Sequence, residues 1–176
     1  MRTRYKIIDA NQVYFITCTI VEWLPVFTRK PYFDILINSL NFCRQRKGLN
    51  VFAYAILDNH VHLVVSGDNL ANTIKDFKRH TAREIIKLAQ NEEKTWLLNQ
   101  FRFFRKKYKT DSEYQVWHEG FHPKQIISED MLRQKIEYIH HNPVRIGVVD
   151  KMEDWIYSSA RNYLGLQTIM EIDVLE

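Results

Sequence analysis

The chain has 176 residues, 45% of them hydrophobic and 13% aromatic, which suits one folded domain and argues against disorder. Two cysteines, Cys18 and Cys43, are too few for a disulfide framework or a four-cysteine metal module; the basic opening stretch has no unbroken apolar run long enough for a membrane span or signal peptide. The net charge of +4 is uneven, because residues 75–109 hold 11 basic and four acidic side chains, a local balance of +7 against −3 for the remainder.

In chain order, residues 12–20 (QVYFITCTI) are rich in β-branched and aromatic types and read as a strand. Pro31 opens a segment whose apolar positions Phe33, Leu36, Ile37, Leu40 and Cys43 recur every three or four residues, predicting a helix that Gly48 terminates. Residues 51–57 and 60–65 are two apolar strands joined by Asp58-Asn59, a natural antiparallel hairpin. Residues 70–89 predict a helix with a basic polar surface, with Asn69 as candidate N-cap. The stretch 96–114, including FRFFRKKYK, is compatible with helix, short strand or loop, and 116–121 suggests a short extended piece. Ser128 caps a helix expected from about Glu129 to Asn142, where Pro143 should end it. A wrapping tail follows. Both cysteines fall in apolar segments and read as small buried hydrophobes, which fits a reducing, cytoplasmic setting. The expected architecture is α+β: a small antiparallel sheet covered by helices.

Strand alternation puts His60, His62 and Val64 on one face, and the apolar Val61, Leu63 and Val65 on the other. Two imidazoles spaced this way can converge on one metal ion, although one of them could equally hydrogen-bond within the sheet. Tyr138 and Asn142 are one helical turn apart and share a face. A phenol can attack phosphorus once a nearby cation or base favours its phenolate, and an amide oxygen can complete a metal shell. Packing and helix capping are the alternative roles for these two. Two histidines and an amide suit Mg²⁺ or Mn²⁺ better than a catalytic zinc. Lys75, Lys78, Arg79, Arg83, Arg102, Arg105, Lys106 and Lys107 are candidate DNA-backbone contacts, a solvated helix face being the alternative, and the aromatics among them could stack bases or belong to the core.

Five ordered segments carry a resemblance: AYAILDNHVHLVV (53–65), DFKRHTAREI (76–85), VWHEGFHPKQI (116–126), KIEYIHHNPVRIGVV (135–149) and DWIYSSARNYLG (154–165). Over about residues 5–165 the chain resembles the IS200-like Y1 transposase superfamily, and within it the REP-associated tyrosine transposases. The resemblance implies a ferredoxin-like fold, one HUH endonuclease-like domain over residues 1–165, and a C-terminal tail at 166–176. It implies that His60 and His62 are metal ligands, that Tyr138 is the nucleophile, and that Asn142 holds the position of a further ligand. The implied activity is single-stranded DNA cleavage and strand transfer near hairpins through a 5′-phosphotyrosine. A noncatalytic DNA-hairpin binding protein derived from a transposase is the rival. Relatives include dimers with shared active sites and monomers, so both states stay open, and no membrane partner is expected. Two departures stand out. Asp58-Asn59 replaces the usual Pro-Asn before the first histidine, and Lys124 stands where many REP-associated members carry a histidine, leaving His122 as a substitute candidate.

Overall fold

The structure, a computed structural model, describes residues 12–175; the basic opening stretch, with the first residues of the resemblance, and residue 176 lie outside them. The strands are β1 (Tyr14–Thr19), β2 (Asn50–Ile56), β3 (His60–Ser66) and β4 (Lys124–Gln125). The helices are α1 (Lys30–Lys47), α2 (Leu70–Asn91), α3 (Thr95–Phe103), α4 (Glu129–Arg145) and α5 (Ala160–Tyr163), with single 3₁₀ turns at Val21–Trp23 and Met152–Asp154. All strand pairs are antiparallel, in the order β2-β3-β1-β4. The fold is therefore α+β, a central antiparallel sheet flanked by helices. No helix of the described residues is long and apolar enough to cross a membrane.

Local chemistry explains most of these boundaries. Pro31 sits in the first turn of α1, where its missing N–H costs nothing, and Gly48 closes the helix at φ 62° with its N–H bonded to the Cys43 carbonyl. Gly67, at the far end of the β2–β3 hairpin, lies so close to this helix end that a Cβ there would stand 2.7 Å from the Gly48 carbonyl oxygen. Ser128 caps α4 by accepting a hydrogen bond from the Met131 N–H. Asn69 flanks α2 as expected but makes no side-chain cap; its amide oxygen accepts from Asn72 instead.

The sheet buries both faces. One carries Ile16, Cys18, Tyr54, Ile56, Val61, Leu63 and Val65 into a core shared with α1 and α2. The other carries Phe15, Ala53, Ala55, Leu57 and Val64 against Ile139 of α4. The β2–β3 register slips between Val51 and Ala53, so Phe52 and Ala53 both face α4 before alternation resumes. The outer edge of β2 is covered by the C-terminal segment. Ile56 N–H donates to the Tyr157 carbonyl at 2.9 Å, and Asp173 N–H to the Val51 carbonyl at 2.8 Å. Asp173 also pairs with Arg44 at 2.8 Å, and Met170 is buried in the main core. Residues past 165 are thus packed onto the domain, and they protect its edge strand.

The end of α4 and the last strand differ from the sequence expectation, and one stretch it left open is resolved. Helix α4 runs through Pro143 to Arg145, because the proline falls in the last turn, where it forfeits a single backbone bond while its ring is buried. Residues 96–114 resolve into α3 followed by irregular chain. The extended piece at 116–121 reduces to one bridge, Trp117 to Ile20. The last strand is instead the two residues Lys124 and Gln125, paired with Phe15 and Tyr14. No composition signal marks so short a strand. Pairing to β1 alone makes it one.

Candidate active site and nucleic-acid interface

β3 rises directly from the Asp58-Asn59 turn, and that turn is held from outside. The Asp58 carbonyl accepts from the Val26 and Phe27 N–H groups, each at 2.8 Å, and the Asn59 carbonyl from Ile20 N–H at 2.8 Å. On the strand that follows, His60 and His62 lie opposite Thr19 and Thr17 of β1, on the face that α4 covers. Their rings are 4.6 Å apart, centroid to centroid.

Each imidazole is anchored through Nδ1. His60 Nδ1 lies 2.6 Å from the Asn59 amide oxygen, which can only accept, so Nδ1 carries the proton and Nε2 keeps its lone pair. His62 Nδ1 lies 2.8 Å from the Thr17 hydroxyl. Orienting a histidine by one ring nitrogen while leaving the other open is how a metal ligand is set. Burial holds His60 below the usual imidazole range, with Asp58 opposing. Burial, then the charges of His60 and Lys135, push His62 down to about 3. Both rings are neutral at pH 7, the state that binds a cation.

Helix α4 brings Tyr138 over this pair. Its ring centroid is 5.4 Å from that of His62 and 6.0 Å from Phe15, which itself stacks on His62 at 5.4 Å. The tyrosine is 38% exposed, so a substrate can reach it. Asn142, one turn on, is buried with 7% exposure. Among the described residues no group of three or more His, Cys, Asp or Glu side chains is placed to hold a metal ion.

Two residues that the sequence reading missed complete the site. Lys135 Nζ lies 5.9 Å from the Tyr138 ring centroid and 5.1 Å from that of Phe15, and Arg145 Cζ lies 5.4 Å from the Tyr138 ring. Neither has an acidic partner among the described residues. The signal was available: 135, 138, 142 and 145 are spaced three, four and three apart, one stripe of a helix. The other two histidines of α4 do not join the pair. His140 is buried with Nε2 at 2.8 Å from the Ser159 hydroxyl, and exposed His141 contacts the Glu137 carbonyl through Nδ1.

The basic surface is partly self-engaged. Lys75, Arg79, Arg83 and Lys109 line a groove between α2 and residues 112–121, whose wall includes half-buried Tyr114 and Phe121. Lys75, Arg83 and Lys107 are exposed with no acidic partner among the described residues. Arg79 pairs with Asp76 at 2.6 Å, Lys106 with Glu119 at 3.5 Å, and Arg102 with Glu113. Arg105 donates to the Lys109 carbonyl. Lys78 is inward: its ammonium donates to the carbonyls of His118, at 2.7 Å, and Gly120, so it pins that loop to α2. In the aromatic run, Phe101 belongs to the core, while Phe103 and Tyr108 face solvent. Lys124 lies opposite Phe15, at the edge of the sheet, and is exposed.

Known proteins give the same picture from outside. The family model described as "Transposase IS200 like" matches residues 15–142, a span that includes both histidines, Tyr138 and Asn142. A candidate REP-associated tyrosine transposase of Haemophilus influenzae is 32% identical over 111 residues, 61% of this chain and 56% of the relative. The match thus spans little more than half of that protein. A solved structure of a REP-associated tyrosine transposase bound to a REP hairpin superposes with a TM-score of 0.66 at 17% identity, over 100% of this chain and 94% of that one, a likeness of fold. With its sheet, its paired histidines and the tyrosine above them inside the matched span, the chain belongs to the IS200-like Y1 tyrosine transposase superfamily.

Proposed function

We propose that this protein is a REP-associated-type transposase: a metal-dependent endonuclease and strand transferase that acts on single-stranded DNA beside a hairpin. The βαββαβ order with strands 2-3-1-4 further supports a ferredoxin-like assignment. The observation that carries the functional reading is the meeting of Tyr138 and His62 at 5.4 Å within one chain, with the tyrosine open to solvent. Because both groups come from the same polypeptide, a monomer suffices for the chemistry.

In the proposed reaction the Tyr138 oxygen, as phenolate, attacks the scissile phosphorus. A P–O bond to Tyr138 forms, the P–O3′ bond breaks, and the departing 3′ oxygen takes a proton. The 5′-phosphotyrosine conserves the phosphodiester, so a second DNA 3′-hydroxyl can reverse the attack, rejoin a strand and release the tyrosine. Lys135 and Arg145 flank the phenol ring and favour an incoming phosphate.

The residues also fit a hard divalent cation. His60 and His62 are neutral and anchored at Nδ1, and Asn142 offers a buried amide one turn beyond Tyr138. These three would hold Mg²⁺ or Mn²⁺, leaving positions for water and substrate oxygens. The ion would supply Lewis-acid polarisation of the phosphodiester. Solved DNA-hairpin recognition in a protein of the same fold supports the choice of substrate.

A labelled DNA hairpin with single-stranded flanks, incubated with Mn²⁺ or Mg²⁺ and resolved under denaturing conditions, tests this. Wild type is expected to yield a protein-linked strand, and EDTA to suppress it. Tyr138→Phe should lose the linked species by at least ~1,000-fold while hairpin binding stays within about twofold, because the nucleophile is removed and the surface is not. Equal linkage by the phenylalanine variant refutes Tyr138 as nucleophile. A wild type that binds hairpins tightly but never links to any flank sequence is instead a noncatalytic hairpin binder.

A further inference from the structure

Beside the histidines, on the other edge of β1, lies a small cleft that the reaction above does not use. Thr17, Thr19, Trp23, Lys106, His118, Glu119, Gly120 and His122 surround about 290 Å³. That is near the lower end of ligand clefts, roughly 300–1,000 Å³, large enough for one flat heterocycle and too small for a duplex. Thr17 and Thr19 are the cross-strand partners of His62 and His60, and the Thr17 hydroxyl lies 2.8 Å from His62 Nδ1, so the cleft adjoins the imidazole pair.

Its wall is an indole held outward. Trp23 is 62% exposed, and its ring meets His118 edge-on at 5.4 Å. Glu22 and Trp23 have φ of 50° and 51°, and His122 on the opposite wall has φ of 44°. The left-handed region is costly for side chains of this bulk, and such strain persists where the surrounding structure overrides it. Here the override is visible. Asn59 donates its amide N–H to the Trp23 carbonyl at 3.1 Å while its oxygen holds His60, so one side chain ties the backbone that carries the indole to the first histidine. The His118 ring nitrogen Nε2 is buried without a hydrogen-bond partner, an unusual state for an imidazole. His118, Glu119 and Gly120 also line the basic groove along α2, so the two depressions join through this loop.

We infer that this cleft takes one unstacked DNA base next to the scissile phosphate, stacked on Trp23 and bonded along its edge by the His118 side of the pocket. A strand whose phosphates follow the α2 groove would pass the loop at 118–120, leave one base on the indole, and present the adjoining phosphate to Tyr138. The cleft would then set which sequence is cut, and the groove would set affinity. This rests on the proposed DNA substrate but not on the nuclease chemistry.

The test is a fluorescein-labelled DNA hairpin whose single-stranded flanks are randomised. Its binding by anisotropy in EDTA should weaken roughly tenfold or more for Trp23→Ala and be restored by Trp23→Phe, the range expected for one base–aromatic stack. In Mn²⁺, sequencing the strands linked to wild type should reveal a base preference at one position beside the cut, lost from strands linked to Trp23→Ala alone. The exposed position lets the variant fold, which its thermal unfolding midpoint checks. Unchanged binding with Trp23→Ala overturns the inference whatever the linkage assay gives. Weakened binding with no linkage by wild type upholds the cleft and counts against the nuclease instead.

Discussion

The two faces of the central sheet are made by the same strands and serve opposite ends. Toward α1 and α2, β3 sends Val61, Leu63 and Val65 into a continuous apolar core. Toward α4 the intervening positions are His60, His62 and Val64, opposite Thr19, Thr17 and Phe15. One face removes apolar area from water; the other spends some of that burial on two imidazoles that cannot be charged there. A strand with period two lets stability and chemistry be varied independently, residue by residue.

Adjacent substitutions on β3 break the comparison most severely. Leu63→Ala should cost about 2–5 kcal/mol, since Leu63 is fully buried and its loss leaves a cavity. Linkage per folded molecule should stay within about threefold of wild type. His62→Ala should do the reverse, reducing protein-linked DNA at least ~100-fold while costing no more than about 2 kcal/mol, because it removes the proposed metal ligand and one stacking partner. Urea unfolding alongside the linkage assay reads both. Parallel losses in both assays for both variants would mean that the faces are not separable.

Acid should strike the α4 side first. In metal-free protein His62 titrates at about 3, through burial and then the charges of His60 and Lys135, and His140 at about 4, through burial and then His141. Unfolded, both return to about 6.5. A depressed folded value means that stability is complete above pH 6.5 and is lost as pH falls toward 4 and then 3, since only the unfolded chain takes up protons in that window. Between pH 6.5 and 5 each group should remove about 2 kcal/mol. Urea midpoints at the two pH values measure the sum, and His140→Gln should abolish about half of the drop. A flat profile would show that these imidazoles are not buried neutral.

Much of this was legible in the sequence, for a physical reason in each case. His60 and His62 stand out because strand alternation is strict and their neighbours are uniformly apolar. Gly48 and Ser128 stand out because caps demand particular residues. Pro143 misled because a proline breaks a helix interior but is tolerated in a last turn, and the two cases look alike in sequence. β4 was invisible, since two residues acquire strand geometry only from β1. The double hold of Asn59 on His60 and Trp23 joins residues 36 positions apart and exists only after folding. Lys78 was grouped with phosphate contacts, and the structure turns its ammonium to two loop carbonyls. Sign of charge is written in sequence; direction is not.

The finest test of the contrast concerns Lys135 and Arg145, which lie three residues before and seven after Tyr138 on one stripe of α4. Two cations over one ring, with no acid beside them among the described residues, repel each other, and Lys135 also depresses His62, so they weaken the metal-free fold. An anion between them reverses that sign. If the scissile phosphate is that anion, Lys135→Gln and Arg145→Gln should each slow linkage about tenfold at saturating DNA, less than loss of a buried oxyanion donor because both side chains are partly in water. Hairpin affinity should change only about twofold, since one phosphate among many is affected. Lys135→Arg should recover most of the rate by restoring charge. The same variants should gain slightly in urea resistance without DNA. A loss of affinity as large as the loss of rate would place both cations in general DNA attraction, leaving Tyr138 without dedicated electrostatic help from its own helix.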